Sequence, residues 1–177
     1  MADTVSPAVE GLITAGQRVV GYAALLRDGI AGDRFARFAV GTSGAVDSNH
    51  PAFVFGHLSL YPSRVSELLG LDLDVRVPEP WQALFAPGAA CVDDPDGTVY
   101  PSMESLVAIF DESHERLFAG MAGVTLERLA EPTPHERYRQ RFPTTMSAVT
   151  FLLTAHPMLH LGQLSAWRRF EGLGPAA

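Results

Sequence analysis

Two histidines spaced four residues apart are the clearest chemical feature of this sequence. His156 and His160 lie in a segment whose apolar residues recur at helical spacing, so both imidazoles project from one helix face. Imidazoles one helical turn apart can bind the same metal ion. His57 lies in the middle of another amphipathic segment. The three histidines together predict a divalent-metal site with one coordination position open to water or substrate.

A second interpretation of these histidines is structural. A pair at this spacing also arises by chance, and imidazoles on an apolar face are often hydrogen-bonded core residues. Both members of the pair lie between Leu153 and Gln163 on an apolar stripe, where an imidazole without a partner is costly to bury. Residue types and spacing alone leave both interpretations open.

Four long segments with apolar residues at a spacing of about 3.6 predict an all-α fold, a four-helix bundle. In such bundles, inward-facing side chains from different helices build metal centres. We expect Pro62 to bend the second helix and Pro157 to kink the fourth, inside the histidine pair. The predicted helices run from Pro7 to 29–32, from His50 to Leu69, from Ser102 to 120–123, and from 143–145 to Gly172.

The composition excludes several classes of protein. The chain has 177 residues, 47% of them hydrophobic, which suits one domain over 1–177 with a sizeable core. Thirteen cationic residues, all arginine, against twenty acidic ones leave a net charge of −7, which disfavours nucleic acid as a partner. The single Cys91 cannot form an intrachain disulfide. With no leader-like or membrane-spanning pattern, we expect a cytoplasmic protein without membrane contact.

Two connections between the helices are prominent. The segment from Gly70 to Tyr100 is long for a compact domain, so we expect it to cover a bound substrate. The connector before the fourth helix carries arginines between Arg137 and Arg141. This patch can attract an anionic cofactor, although a solvated surface is the simpler interpretation.

Four further residues are candidates for a second shell or a cavity wall. Gln163 either orients a ligand or makes an interhelical hydrogen bond. Tyr61, one turn after His57, can donate to a metal-bound group, although packing explains it equally simply. His114 lies on the stripe of the third helix and is more simply a core histidine. His50 precedes the second helix, where capping accounts for it.

The sequence also resembles the DinB-like superfamily. The strongest segment is His-Pro-Met-Leu-His-Leu-Gly-Gln-Leu-Ser-Ala-Trp-Arg-Arg at 156–169, which has the pattern His-x-x-x-His, x-Gly-Gln and a basic pair. The stretch Asn-His-Pro-Ala-Phe-Val-Phe-Gly-His-Leu at 49–58 is similar to that family too. Further resemblance lies in Trp81-x-x-x-Phe85-x-x-Gly88, in Tyr100-Pro101-Ser102 and at 172–175, so it covers nearly the whole chain.

The resemblance implies an up-down-down-up four-helix bundle that holds zinc or nickel through residues matching His57, His156 and His160. Such proteins are often homodimers, and characterised members are similar to transferases and isomerases that use the thiols bacillithiol or mycothiol. Pro157 departs from the acidic or polar residue of many relatives. The mycothiol-dependent isomerases resemble this segment with glutamate in place of His156, so their reaction does not carry over.

The sequence therefore predicts a metal-binding DinB-like protein that transfers a low-molecular-weight thiol to a small-molecule substrate. One alternative is a hydrolase that uses the same three ligands to activate water. Another is a non-catalytic metal-binding stress or interaction protein. In the last alternative, no metal binds and the histidines are hydrogen-bonded in the core.

Overall fold

Helices form throughout the predicted segments. The computed structural model describes residues 5–72 and 77–176, except for the side chain of Arg137. The helices are α1 (Pro7–Arg27), α2 (Pro51–Ser59), α3 (Tyr61–Leu69), α4 (Glu79–Leu84), α5 (Met103–Met121), α6 (Leu126–Ala130), α7 (Glu136–Arg139), α8 (Thr145–Leu153) and α9 (Ala155–Phe170). A 3-10 turn at Gly32–Arg34 and a small hairpin, β1 (Val40–Gly41) with β2 (Gly44–Ala45), follow α1. The hairpin was not predicted, and the fold is all-α.

Side-chain caps begin the long helices where the sequence predicted them. The Ser6 hydroxyl accepts from the backbone N–H of Val9 at 3.3 Å and caps α1, which has Pro7 in its first turn. Ser102 caps α5 in the same way. Thr144 forms a capping box with Ser147 at the start of α8. Local sequence therefore determines where these helices begin.

Prolines divide the second and fourth predicted helices in two. The second is interrupted at Leu60, which places Pro62 in the first turn of α3. The fourth is interrupted at Thr154, with φ −127° and ψ −78°, which places Pro157 in the first turn of α9. A proline in a helix interior removes a hydrogen bond and clashes with the carbonyl four residues earlier, whereas the first turn needs no such N–H.

The division at Thr154 preserves the histidine pair. The kink predicted from Pro157 lies before His156 and not between His156 and His160. Both histidines are therefore on α9, one turn apart, as a shared ligand role requires.

Two hydrophobic clusters show in which direction each segment runs. One joins the end of α1, the start of α2, the start of α5 and the end of α9, as shown by Leu26, Phe53, Phe110 and Trp167. The other joins the start of α1, the end of α3, the end of α5 and α8, as shown by Val9, Val65, Met121 and Val149. The first and fourth segments thus run one way and the second and third the other, an up-down-down-up four-helix bundle.

The packing order of the bundle places α2 beside α9. Helix α5 packs on α1, α2 and α3, while α9 packs on α1, α2 and α8. The second segment therefore lies between the third and the fourth, and its inward face meets the fourth. Within the described part of the chain, no helix has the length and hydropathy needed to span a membrane.

A buried arginine connects the last helix of the bundle to the first. Arg168 on α9 is 6% exposed, and its guanidinium donates to the carbonyl of Leu26 at 2.7 Å and to that of Asp28. These carbonyls lie at the end of α1, where a helix carries partial negative charge. By its position in the last turn of α9, the dipole of that helix alone would account for this arginine. The structure shows that it caps another helix.

Candidate metal centre

Helices α2 and α9 bring three imidazoles into one group. His57 is buried on α2, and His156 and His160 are partly buried on α9. Their ring centroids lie 5.4 Å (His57 to His156), 4.6 Å (His57 to His160) and 4.8 Å (His156 to His160) apart. One nitrogen from each ring lies within 4.8 Å of the others, so the group is suited to hold a metal ion.

A backbone carbonyl fixes the orientation of His57. Its Nδ1 lies 2.8 Å from the carbonyl oxygen of Phe85, and because a carbonyl only accepts, Nδ1 carries the proton of the neutral ring. Nε2 then carries the lone pair, and the Tyr61 hydroxyl lies 3.2 Å from it. In metal-binding histidines, the ring nitrogen that does not bind the ion usually donates a hydrogen bond that orients the ring, and Nδ1 of His57 has such a bond to Phe85.

The position of Phe85 depends on a glycine in α2. The Phe85 ring is fully buried, and a Cβ placed on Gly56 would lie 2.4 Å from it. Only glycine permits this approach, which brings the Phe85 carbonyl to the neighbouring His57. The long segment from Gly70 to Tyr100 therefore supports a histidine of the cluster.

An amide chain fixes the orientation of His160. Its Nδ1 lies 3.1 Å from Oε1 of Gln163, an oxygen that also accepts from Nδ2 of Asn49 at 3.0 Å. The proton of His160 is therefore on Nδ1, and Nε2 is free to bind a metal. Gln163 thus contacts His160 on its own helix, and its second hydrogen bond goes to Asn49 in the segment before α2 and not to another helix. The link between Asn49 and Gln163 depends on tertiary packing.

His156 provides the test of whether a metal ion fits the group. Its Nδ1 is buried and has no hydrogen-bond partner within the part of the chain that the structure describes. Burying a polar atom in this way is costly unless something binds it. An ion held by the group would give the His156 ring a partner and use the Nε2 lone pair of His160, and it would replace the Tyr61 hydroxyl at Nε2 of His57, so the residues fit the ion.

Burial keeps these imidazoles in the form that binds metal. It lowers the pKa of His57 to about 4 and that of His156 to about 3, and it also lowers the pKa of His160. Repulsion from the neighbouring imidazoles and from Arg64 adds to the shifts of His57 and His156. All three rings are therefore neutral at pH 7, which is the ligating form of histidine.

A cavity of about 650 Å³ reaches this group of histidines. Tyr61 and His156 belong to its wall, and the rest comes mainly from α3, α8 and the connector between α6 and α8. The connector is held in place by Thr133, which donates to the Phe142 carbonyl, and by a backbone pairing of residues 132 and 144. The segment from Gly70 to Tyr100 adds Pro87 to the described wall, and residues 73–76 of this segment lie outside the described residues, so its expected role as a cover stays a prediction.

The family model for the DinB superfamily matches residues 17–164 of this sequence. The chain belongs to the DinB superfamily. The match includes the three histidines, the Phe85 segment and the connector that walls the cavity. A search of curated proteins finds no match to this chain.

Two other predicted site residues of this DinB-superfamily protein lie outside the histidine group. His50 caps α2 by accepting from the Phe53 N–H, and its Nε2 donates to the Val92 carbonyl at 2.9 Å. His114 on α5 donates from Nδ1 to the Phe110 carbonyl at 2.7 Å. Both ring nitrogens of His50 and Nδ1 of His114 thus have protein partners, and neither histidine belongs to the metal-ligand group found among the described residues.

Proposed function

We propose that this DinB-superfamily protein binds one divalent metal ion through His57, His156 and His160 and transfers a low-molecular-weight thiol to an electrophile. The observation that supports this is the group of three neutral imidazoles, one with an orphaned buried nitrogen, at the wall of a cavity. Three histidine ligands leave a coordination position for a reacting group. Zinc and nickel are the ions we propose, since both bind imidazole well.

The chemistry depends on what the bound ion and the cavity each supply. A divalent ion held by three histidines would lower the pKa of a bound thiol or water towards neutrality. In the transfer, the sulfur forms a bond to the electrophilic carbon, the leaving group departs with its electron pair, and the thiol proton passes to solvent. The cavity beside His156 would hold the electrophile and limit the access of water.

An external thiol is needed because the chain's own thiol is unsuited to the reaction. Cys91 is the only cysteine, and burial raises its pKa to about 11. A thiol with so high a pKa is almost entirely protonated at neutral pH and is a poor nucleophile. The nucleophilic sulfur in this proposal therefore belongs to the substrate.

Metal stoichiometry tests the first half of the proposal. Elemental analysis of untagged protein is expected to show about one divalent ion per chain. His57→Ala, His156→Ala and His160→Ala should each lose it, whereas His135→Ala, which changes an exposed histidine, should retain it. Protein that neither carries nor takes up metal would exclude the proposal.

Turnover tests the second half. Metal-loaded protein is assayed with bacterial thiols and a monochlorobimane-type electrophile, and the rate should exceed that of His156→Ala. Turnover of esters or amides without thiol would instead indicate a hydrolase. A higher melting temperature with metal but no turnover in either assay would indicate a non-catalytic metal-binding protein.

A further inference from the structure

Two arginines without acidic partners line the cavity beside the histidines. Arg64 comes from α3 and Arg141 from the connector between α6 and α8. Within the described residues, neither guanidinium forms an ion pair with a carboxylate. The protein carries a net charge of −7, so acidic groups are abundant elsewhere on the chain. Two guanidinium groups therefore line one cavity of an acidic protein.

Other arginines show how the chain usually uses this side chain. Several form ion pairs with carboxylates, namely Arg27 with Asp111, Arg34 with Glu171, Arg37 with Asp93, Arg116 with Glu112, and Arg128 with Glu131. Arg139 and Arg168 instead donate to backbone carbonyls. Structural arginines of this protein thus have an acceptor within the fold. Among the described residues, Arg64 and Arg141 have no carboxylate or backbone acceptor. The exposed Arg18 and Arg169 share this property, but Arg64 and Arg141 line a cavity.

Arg64 is placed close to the histidine group. Its Cζ atom lies 4.7 Å from the centre of the Tyr61 ring, and the Tyr61 hydroxyl lies 3.2 Å from Nε2 of His57. The guanidinium is held over this ring by a cation–π interaction and also forms a hydrogen bond with the Tyr61 side chain, and the rest of its five N–H donors remain for a ligand. The positive charge of Arg64 and the His57 ring therefore both contact the side chain of Tyr61.

The two arginines outnumber the one acidic residue among the described residues of the cavity wall. Glu67 is exposed, and its Oε1 lies 3.4 Å from Nε2 of His135, which also lines the cavity. Arg141 lies on a connector that Arg139 holds by donating to the Thr133 carbonyl at 2.6 Å. Arg141 is exposed, which agrees with the solvated surface that the sequence analysis favoured for this patch, and it also lines the cavity.

We propose that this cavity binds a ligand with an oxyanion group, a carboxylate or a phosphate, through Arg64 and Arg141. Guanidinium forks match the paired oxygens of both groups. The rings of Phe142 and Phe151, whose centroids are 4.9 Å apart, offer an apolar surface for the stem of such a ligand. The statement that the ligand of this site is the thiol or the electrophile of the reaction rests on the proposed function.

Binding of sulfur-free anions to metal-free protein tests the arginine site separately from the metal. Isothermal titration calorimetry at low ionic strength is run with succinate and, in a second arm, inorganic phosphate. Arg64→Gln and Arg141→Gln should each weaken binding of the preferred anion by roughly tenfold or more. Arg18→Gln, which changes an exposed arginine of α1, should bind as wild type does. The stronger of the two anions identifies the group that the cavity selects.

Equal anion affinity in the wild type and both cavity variants, or no binding in the wild type, would overturn the inference. His160→Ala serves as the converse control, because this histidine is not among the described residues of the cavity wall and its variant should lose metal but keep anion binding. If the protein binds metal but not these anions, the proposed function stands and only the anion site is refuted. If it binds the anions but no metal, the anion site stands and the proposed function is refuted.

Kinetics with matched thiols then connects the site to turnover. Mercaptosuccinate carries carboxylates and 1-thioglycerol does not. Arg64→Gln and Arg141→Gln should each lower kcat/KM for mercaptosuccinate roughly tenfold, mainly through KM, and leave that for 1-thioglycerol within about twofold. An equal loss with both thiols, at unchanged metal content, would assign the arginines to general folding and contradict the inference.

Discussion

The ring of Phe85 packs directly on the backbone of Gly56, at a distance that leaves no room for a Cβ at position 56. The residue after this glycine is His57, and the Phe85 carbonyl accepts from its Nδ1 at 2.8 Å. One packing contact therefore fixes both the position and the tautomer of a histidine in the candidate metal centre.

Gly56→Ala should weaken both the fold and the metal site. The new methyl group would displace the Phe85 ring, and overpacking of this kind costs about 1–3 kcal/mol in the free energy of unfolding. Metal affinity should fall by roughly 10-fold to 100-fold because the support of His57 is loosened. Denaturant unfolding and a metal-competition titration measure the two effects. Gly21→Ala, with nothing within 4 Å of the added methyl group, should not be destabilised.

The link from Asn49 through Gln163 to His160 should act as one unit in metal binding. Gln163→Leu removes the acceptor for His160 Nδ1 and should lower metal affinity by about 10-fold to 100-fold. Asn49→Ala should lower it less, because the Gln163 acceptor remains. In a double-mutant cycle, the double variant should bind metal as weakly as Gln163→Leu alone. Independent, additive losses would show that Asn49 acts elsewhere.

His114 should make stability depend on pH in the mildly acidic range. Burial lowers its pKa in the folded protein from 6.5 to about 4. Between these values the unfolded chain binds a proton that the folded protein does not, so the free energy of unfolding decreases as pH falls from 6.5 towards 4. This residue contributes a slope of up to about 1.4 kcal/mol per pH unit.

Urea unfolding of the wild type and His114→Gln at several pH values isolates this contribution. Effects of other histidines are common to both proteins, so the difference in unfolding free energy should stay constant above pH 6.5. It should then change in favour of the variant as pH falls. Parallel curves down to pH 4 would contradict the role assigned to burial of His114.

Arg168→Met should destabilise the bundle without changing metal stoichiometry. The substitution removes the donors to the carbonyls at the end of α1, and hydrogen bonds from a charged donor contribute about 1.5–3 kcal/mol each. We therefore expect a loss of about 2 kcal/mol or more in the free energy of unfolding. Arg169→Met, at an exposed neighbour on the same helix turn, should change it by less than about 0.5 kcal/mol. Equal effects of the two variants would refute the capping role.

Local sequence signals predicted the helices well because they act within one turn. Ser6 and Ser102 cap the helices that their positions indicated, and Pro62 and Pro157 mark the two divided segments. The exact point of division at Thr154 was missed. The break at Thr154 places Pro157 in the first turn of α9, where a proline costs least, and its exact position depends on the packing of α8 and α9.

The residue types and spacing of the histidines indicated the cluster, but not its support. The spacing of His156 and His160 follows from helical geometry alone. The sequence predicted that His57 would meet this pair on the assumption that all three side chains face the interior of the bundle. The packing of α2 on α9 places the three rings together. The carbonyl of Phe85 carries no sequence signal, since every residue has a carbonyl.

The sequence by itself determined an all-α bundle, its capped helices and the three histidines that face its interior. The tertiary structure alone decided the contacts between residues far apart in the chain, such as Asn49 with Gln163 and Arg168 with the end of α1. It also turned the connector with Arg141 into a cavity wall. The physical reason is that helical periodicity and capping are local, whereas the partner of a side chain across the bundle depends on the packing of whole helices.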